Sequence, residues 1–318
     1  MREMCSALAL LASAGVAMAQ GEPPAPAATP DEPAGGTMLD SMLGDVLGDR
    51  PLDRGWTVRI EPAYWYAAPR GDVTIRGTEG PVSFEGATFG DDAEVDLFDL
   101  DADDPTGALL SRAHITNGRW RFTLGGTYLT EDGSSGPTEA GRIGDAFFVP
   151  GDRVETDFTF WTIEASAAYA IFHGPMPGER GDPDRLRYAF EVLGGARVES
   201  IDFDLDVTPG AGSRPSELGL SASASDVFAQ PIVGARLSLD IFREVTVEVG
   251  TTVGYFGWTN AQTTTTWDVL AAISWRPVEH VGVEFGYRNL GLSAEGDESD
   301  LEFTGSAAGV FGGLVVEF

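Results

Sequence analysis

Three histidines, His114, His173 and His280, are the residues of this sequence best suited to acid–base chemistry near neutral pH. A catalytic histidine would need a Ser, or an Asp, held beside it by the fold. His173 and His280 lie in segments predicted to be turns, and His114 lies among charged residues. No phosphate-binding loop, nucleophile elbow or metal-ligand spacing is present in the sequence. We therefore predict no catalytic, cofactor-binding or metal residues, and no cofactor.

A second candidate for chemistry is the acidic stretch DDAEVDLFDLDADD, which places eight carboxylates between residues 91 and 104. Asp99, Asp101 and Asp103 alternate as they do in a calcium loop. The EF-hand pattern fails, because Asp104 stands where the turn glycine belongs and Leu110 where the bidentate glutamate belongs. Two interpretations stay open: a solvated acidic surface, or a looser divalent-cation site that bridges the loops to lipopolysaccharide.

Overall charge excludes one class of partner. The chain has 50 acidic residues against 20 basic ones, for a formal net charge of −30, and every basic residue is Arg. Such a chain repels nucleic acid, so no nucleic-acid partner is expected.

The first 50 residues predict targeting and linking segments. Residues 4–19 form an apolar run too short to span a bilayer, and Ala17-Met18-Ala19 matches a signal-peptidase site. We predict a signal peptide over 1–19, which includes the only cysteine, Cys5. Residues 20–36 are rich in Pro and Ala and predict a linker. Residues 37–50 predict a short amphipathic helix that caps the fold or binds a membrane surface or partner.

The end of the chain, AAGVFGGLVVEF over 307–318, alternates apolar residues with a period of two and so predicts a strand. It resembles the terminal strand of bacterial outer-membrane β-barrels, which finish on Phe. That resemblance implies recognition of the strand by the barrel assembly machinery.

Residues 56–318 divide into about ten strands, although counts of eight or twelve also fit. We predict a transmembrane antiparallel up-and-down β-barrel in the outer membrane, since no later apolar run is long enough for a membrane helix. Connections at 68–107, 131–155, 207–226, 257–263 and 292–301 are longer than most of the others, and this asymmetry predicts that both termini are periplasmic. The predicted strands lie near 56–67, 108–117, 119–130, 156–172, 185–206, 227–242, 244–256, 264–276, 281–291 and 302–318.

Aromatic residues recur at a spacing that fits a membrane. Four pairs lie eight residues apart: Trp56 and Tyr64, Trp120 and Tyr128, Trp161 and Tyr169, and Trp267 and Trp275. An even spacing puts both rings of a pair on one face of a strand. Eight residues rise roughly 26 Å, or about 20 Å along the axis of a tilted barrel, which is close to the height of the lipid-facing band.

The opposite face carries charge, and the two signs nearly balance. Because a soluble core could not bury so many charges, we predict a charge-filled, mostly plugged lumen. The residues placed inside by alternation are Arg59, Arg112, Arg119, Arg121, Arg187, Arg197, Arg236, Arg276 and Arg288, with Glu61, Glu164, Glu191, Glu199, Asp240, Glu248, Asp268 and Glu284.

Two segments carry a resemblance to a family. VEFGYRNL at 283–290 is similar to the next-to-last strand of the small OmpA-like and OmpX-like porin-family barrels, and GVFGGLVVEF resembles their last strand. The resemblance implies fold and outer-membrane location, with lipid and lipopolysaccharide as surroundings. It implies little about activity.

Three functions stay open from the sequence. The first is a non-enzymatic barrel with a structural or surface-interaction role and acidic external loops. The second is a narrow, solute-selective porin. The third is a lipid-modifying barrel enzyme, which would depend on His114.

Overall fold

A computed structural model describes residues 55–77, 82–84, 87–90, 94–175, 186–210, 219–241, 244–257, 263–278, 280–296 and 301–318. These residues form fifteen strands. They are β1 (Thr57–Ile75), β2 (Val82–Phe84), β3 (Ala87–Phe89), β4 (Glu94–Asp96), β5 (Thr106–Asn117), β6 (Trp120–Ser135), β7 (Gly141–Ile143), β8 (Ala146–Phe148), β9 (Arg153–Pro175), β10 (Leu186–Thr208), β11 (Ser221–Ile241), β12 (Val245–Gly257), β13 (Thr263–Trp275), β14 (Val281–Glu295) and β15 (Leu301–Glu317).

Ten of the strands close into an antiparallel barrel in the order β1, β5, β6, β9, β10, β11, β12, β13, β14 and β15. β15 pairs back to β1 from Arg59 opposite Glu317 to Ile75 opposite Leu301, which closes the ring. At the junction, the backbone N–H of Phe318 donates to the carbonyl of Val58 at 2.8 Å. Closure gives the strands hydrogen-bond partners on both sides over most of their length.

The two ends of the barrel differ. At the turn end, Gly118 and Arg119 alone connect β5 to β6, and Gly118 takes a φ of 60°, which favours glycine. At the loop end, longer connections hold the short strands β2, β3, β4, β7 and β8. β4 pairs with the outer part of β1, and β7 and β8 form a buried hairpin. The predicted asymmetry is confirmed for the first three loops, 76–105, 136–152 and 209–220, whereas 258–262 and 296–300 are no longer than the turn 276–280.

The outer surface carries a ring of exposed apolar side chains, which we call the apolar belt. On β6 the belt runs from Trp120 to Tyr128, and on β9 from Tyr169 to Trp161. Trp120 and Tyr169 pack edge to face at the turn end, with ring centroids 5.0 Å apart. Tyr128 lies opposite Trp161 at the other margin. The predicted aromatic pairs therefore mark both margins of the belt.

Towards the loop end of the strands, the alternation inverts. On β10 the inward side chains change from Arg197 and Glu199 to Phe203 and Leu205, and the exposed outward ones change to Asp202 and Asp204. The inward apolar residues beyond the belt form a buried core, which we call the upper core. Its members include Val73, Ile75, Leu97, Leu100, Leu129, Ile143, Phe148, Phe158, Phe160, Ile201, Phe203, Leu205, Phe228, Leu290, Leu292, Leu301 and Phe303.

All ten predicted barrel strands are confirmed, and the all-β antiparallel barrel of ten strands is the fold. The predicted loops were too long, because several strands extend well beyond the belt: β1 reaches Ile75, β6 reaches Ser135 and β14 reaches Glu295. These extensions are polar outside and apolar inside, the reverse of the belt. The predicted signal peptide, linker and helix at 1–50 lie outside the described residues. In the part of the chain that is described, no helix is long and apolar enough to cross a membrane.

The upper core gives a prediction about stability. Replacing Phe203, which is fully buried, by alanine removes a ring from the upper core and should destabilise the barrel by about 3–5 kcal/mol. Thermal or urea unfolding of the purified protein in detergent measures the change. Asp204→Ala on the same strand removes an exposed side chain and should change stability by less than about 0.5 kcal/mol. Equal effects of the two substitutions would contradict the inward direction of Phe203.

Candidate functional site

The barrel interior is the candidate site, because charged side chains from strands that are not neighbours meet there. Arg112 on β5 contacts Glu284 on β14, and Arg197 on β10 contacts Asp268 on β13. Such contacts cross the lumen and so establish the inward direction of these side chains. The predicted list of lumenal charges is confirmed for Arg59, Glu61, Arg112, Arg121, Glu164, Glu191, Arg197, Glu199, Arg236, Glu248, Asp268, Glu284 and Arg288.

Arg112 is the centre of the cluster nearer the turn end. Its Nη2 lies 2.9 Å from Glu61 and 2.6 Å from Glu284, and its Nη1 lies 3.6 Å from Glu248. The guanidinium also lies 5.8 Å from the ring centre of Phe311. Three carboxylates from three strands therefore share one arginine, which ties β1, β12 and β14 to β5.

Glu248 links Arg112 to two further arginines. Arg121 donates to Glu248 at 3.1 Å and lies 3.3 Å from Glu191. Arg236 lies 3.5 Å from Glu248 and 3.6 Å from Glu191. Two carboxylates and two arginines thus alternate around one point of the lumen. This arrangement neutralises charge without leaving any of these groups far from an opposite partner.

A second cluster lies further from the turn end. Asp268 accepts from Arg288 at 2.7 Å and from Arg197 at 3.1 Å, so one carboxylate bridges two arginines. Arg197, which is 1% exposed, also donates to Glu164 at 2.6 Å. Arg288 donates to the hydroxyl of Thr127 at 2.6 Å across the lumen and lies 5.5 Å from the ring centre of Trp65.

Glu199 lies at the boundary between this cluster and the upper core. It is fully buried and accepts from Gln230 at 2.9 Å, while the nearest atom of Arg197 is 3.8 Å away. Gln230 also donates to Thr266 at 2.9 Å. From Glu199 towards the loop end, the inward residues of β10 are Ile201, Phe203, Leu205 and Val207, all buried.

His114 belongs to the first cluster, as predicted. Its Nε2 lies 3.2 Å from Glu61 and its Nδ1 lies 2.9 Å from the hydroxyl of Thr123. The ring is 3% exposed. Both ring nitrogens are hydrogen-bonded inside the barrel, so this histidine serves the network rather than a surface. His280 lies in a turn, as predicted, whereas His173 lies within β9 near the turn end, opposite Ala189.

Cavities within the barrel differ in size between its ends. At the turn end, a cavity of about 240 Å³ is lined by Arg59, Arg187, Arg276 and Glu317 among others, and Arg276 and Glu317 form an ion pair at its rim. Between the two charge clusters lies a cavity of about 70 Å³. In the upper core, Leu129, Phe158, Phe160 and Phe303 surround only about 20 Å³. Of these three cavities, the smallest lies in the upper core.

The upper core corrects the prediction that the lumen is filled by charge alone. Charges fill the half nearer the turn end, and apolar side chains fill the other half. The turn Leu97–Ala102, within the acidic stretch, contributes to this core, because Leu97, Leu100 and Ala102 are buried. The sequence does carry the signal: in SIDFDLDV over 200–207, aspartates alternate with Ile, Phe and Leu. A search for membrane strands, which expects apolar residues on the outward face, does not detect this upper core, because its apolar residues face inward.

Six carboxylates lie on the outer surface beyond the belt, on three neighbouring strands. We call Asp132, Glu155, Asp157, Asp202, Asp204 and Asp206 the outer acidic patch. Asp157 lies opposite Asp132 on one side and opposite Asp204 on the other, and Glu155 lies opposite Asp206. Desolvation at the sheet surface, together with Asp132 and Asp204, raises the pKa of Asp157. No local sequence pattern marks this patch, since it depends on strand register.

Part of the acidic stretch at 91–104 is described. Asp99 and Asp101 are exposed on the turn Leu97–Ala102, and Asp101 has a φ of 57°. Within the described ranges, no group of three or more His, Cys, Asp or Glu side chains is placed to hold a metal ion. The divalent-cation site stays a prediction, because residues 91–93 lie outside the described part.

Sequence comparisons identify no relatives. No protein-family model matches the chain, and no curated protein matches it.

Three solved structures are similar to the chain at low identity. The chain is similar to the outer membrane protease OmpT from Escherichia coli, at 9% identity over 82% of this chain and 97% of that chain, with a TM-score of 0.44. It is similar to Ail of Yersinia pestis at 11% identity over 82% and 99%, with a TM-score of 0.29. It is similar to the toluene transporter TodX of P. putida at 10% identity over 82% of this chain and 90% of that chain, with a TM-score of 0.26. The likeness concerns fold alone.

The Arg112 cluster gives a second prediction. Arg112→Met keeps volume but leaves Glu61 and Glu284 without their shared cation, so it should destabilise the barrel by about 3–5 kcal/mol. Unfolding in detergent measures this, and Glu284→Gln in the same background should recover part of the loss. Arg153→Ala, which removes an exposed surface ion pair with Glu155, serves as the control and should change stability by less than about 1 kcal/mol. If Arg112→Met left the stability unchanged, the carboxylates of Glu61 and Glu284 would be solvated rather than paired with Arg112.

Proposed function

We propose that the protein is an integral outer-membrane β-barrel with a filled interior, whose role is structural or surface-interacting rather than transport or catalysis. The observation that carries this proposal is the inversion of polarity along the strands. Within the belt, apolar side chains face out and charges face in; beyond it, carboxylates face out and the upper core faces in.

The belt supports the membrane location. Its exposed members include Val249, Val269, Phe285, Val310 and Leu314, which come from neighbouring strands and would be unfavourable in water. Aromatic rings lie at both margins, as they do at lipid–water interfaces. The closed ladder satisfies backbone groups that lipid cannot. We place the turn end, with the C-terminal Phe318, in the periplasm and the loop end outside the cell.

The filled interior favours this proposal over a narrow porin. A solute would have to pass the ion-paired clusters and then the upper core, where the cavity holds only about 20 Å³. Apolar packing of this kind gives no hydrated path. The charge clusters instead fill the membrane-spanning half of the barrel. This half is polar inside because side chains alternate along each strand and the apolar ones face outward.

A lipid-modifying enzyme receives less support. An acyl-chain substrate would approach from the belt, whereas His114 faces the lumen with both nitrogens hydrogen-bonded. The similarity of VEFGYRNL and GVFGGLVVEF to small OmpA-like and OmpX-like barrels supports membership of that group. We further propose that the terminal strand contacts the assembly machinery and that the acidic stretch at 91–104 meets lipopolysaccharide, with or without divalent cations.

Conductance tests the filled interior. Full-length protein reconstituted into planar bilayers should show no sustained channel openings at moderate voltage, because the upper core blocks ions. Co-flotation of the protein with liposomes confirms that it is inserted. Stable, reproducible single-channel currents from inserted protein would overturn the structural role and favour the porin.

The belt can be tested by placing arginine on one face of one strand. Tyr287→Arg puts a charge near the middle of the belt and should cost about 2–4 kcal/mol of stability in lipid. Ser293→Arg on the same face of β14 lies beyond the belt and should cost about 0–1 kcal/mol. Unfolding in lipid vesicles compares the two. Similar costs at both positions would contradict the proposed membrane boundary.

A further inference from the structure

Among the described residues, one edge of the extended sheet is not paired with a second strand. β11 pairs with β12 only from Ile232 opposite Gly254 to Ile241 opposite Val245. If this register continued, Gly257, the last residue of β12, would lie opposite Ala229. β11 nevertheless continues to Ser221, and it pairs with β10 over its whole length. The segment Ser221–Phe228 is therefore bonded to β10 on one side, with no strand of the described chain paired on the other.

The direction of the hydrogen-bonding groups follows from their neighbours. Leu220 accepts from Val207, so it faces the β10 side, and Gly219 accepts from Phe147, so it faces away. By alternation, Ser221, Ser223, Ser225, Val227 and Ala229 present their N–H and C=O groups to the open side. Ser221, Ser223, Ser225 and Ala229 are exposed.

Two contacts involve the backbone groups on this side of β11. Ala146 of β8 forms an isolated parallel bridge with Gly219, at the outer end of the edge. Further along, the N–H of Val227 donates to the side chain of Asp226 at 2.8 Å. Natural proteins usually block such edges with lysine, proline, a bulge or an inward-pointing charge. From Ser221 to Gln230 the chain has neither lysine nor proline, the pairing with β10 is free of register shifts, and Asp226 is the one inward-pointing charge.

The surface beside the edge is acidic. Asp202, Asp204 and Asp206 face outward on β10, opposite Ser225, Ser223 and Ser221. Serine side chains are short, so they leave these carboxylates open to a strand added beyond β11, two strand spacings or about 10 Å away. The inward residues of β11 here are the buried apolar Ala222, Ala224 and Phe228 and the half-buried Asp226, which lies opposite Ile201.

We propose that the β11 edge, Ser221–Ala229, binds an extended basic peptide segment of a partner protein by adding it as a further strand. Backbone hydrogen bonds to the edge supply the binding, and alternate side chains supply selectivity. Arginines or lysines facing outward cross the serines to the outer acidic patch, while apolar residues face inward beside Ala222 and Ala224. The inference rests on the proposed function, because the edge must lie outside the cell to meet a partner.

Binding of a labelled peptide tests the proposal directly. The probe is a seven-residue peptide that alternates Val with Arg, measured by fluorescence anisotropy against the full chain in detergent micelles. It should bind saturably, and more weakly as salt rises. A peptide with Glu for Arg, and one with N-methyl groups on alternate amides, should each bind at least about tenfold more weakly, since repulsion or two lost hydrogen bonds is enough for that.

Variants locate the site. Ser223→Pro removes an edge N–H that β10 does not use, at the same parity as the natural Pro231, and should weaken binding by about tenfold or more while thermal unfolding stays unchanged. The double substitution Asp202→Asn and Asp204→Asn should weaken binding of the Arg-containing peptide. It should not weaken binding of a peptide in which Ser replaces each Arg. Asp99→Asn with Asp101→Asn is the matched acidic control and should have no effect.

Some results would overturn the proposal. Equal binding to parent and Ser223→Pro would exclude the edge, and equal binding of the N-methylated peptide would exclude strand addition. A concentration-dependent dimer that Ser223→Pro abolishes would make a second copy the occupant. Labelling of Ser221→Cys on intact cells by an impermeant maleimide distinguishes failure of the peptide-binding inference from failure of the proposed external location. Labelling without peptide binding would contradict the peptide-binding inference alone. Absence of labelling would contradict the external location.

Discussion

The structure depends on one constraint: a strand that crosses a lipid layer and continues into water must change what it shows to its surroundings. β10 does this within a few residues, since Val198 is the last apolar outward residue and Asp202 the first carboxylate. Because side chains alternate strictly, the inside must change at the same level, from Arg197 and Glu199 to Ile201 and Phe203. The membrane boundary is therefore also a boundary between two kinds of interior.

Each kind of interior imposes its own requirement. In the membrane-spanning half, charges can be buried only if opposite partners reach them, and Arg112, Glu248 and Asp268 each contact at least two partners. Beyond the belt the barrel wall meets water, so its interior can pack as an ordinary apolar core. The strands that carry the outer acidic patch and the β11 edge therefore pack against the upper core.

The sequence predicted the half of this architecture that lies in the belt. Trp120 to Tyr128 and Trp267 to Trp275 carry the period and the aromatic margins, so strand positions and inward charges such as Arg288 followed. It failed beyond Tyr128, where Asp132 was assigned to a loop, and beyond Val198, where the predicted strand 185–206 contained Asp202 but not the change to an apolar interior. An inverted alternation resembles a soluble strand or a polar connection, so the membrane pattern does not mark it. The cross-lumen pairing of Arg112 with Glu284 and the open edge at Ser223 depend on closure and register, which no local pattern contains.

The inversion on β10 can be measured most directly by spin labels placed one at a time on its outward face, at Val192, Ala196, Val198, Asp202 and Asp204, in protein reconstituted into lipid vesicles. Collision with oxygen reports lipid exposure, and collision with a water-soluble nickel chelate reports water exposure. The account predicts that oxygen dominates at Val192 and Ala196, and that the nickel chelate dominates at Asp202 and Asp204, with the crossing near Val198. Oxygen-dominated labels at Asp202 and Asp204, or water-exposed labels at Val192 and Ala196, would contradict it.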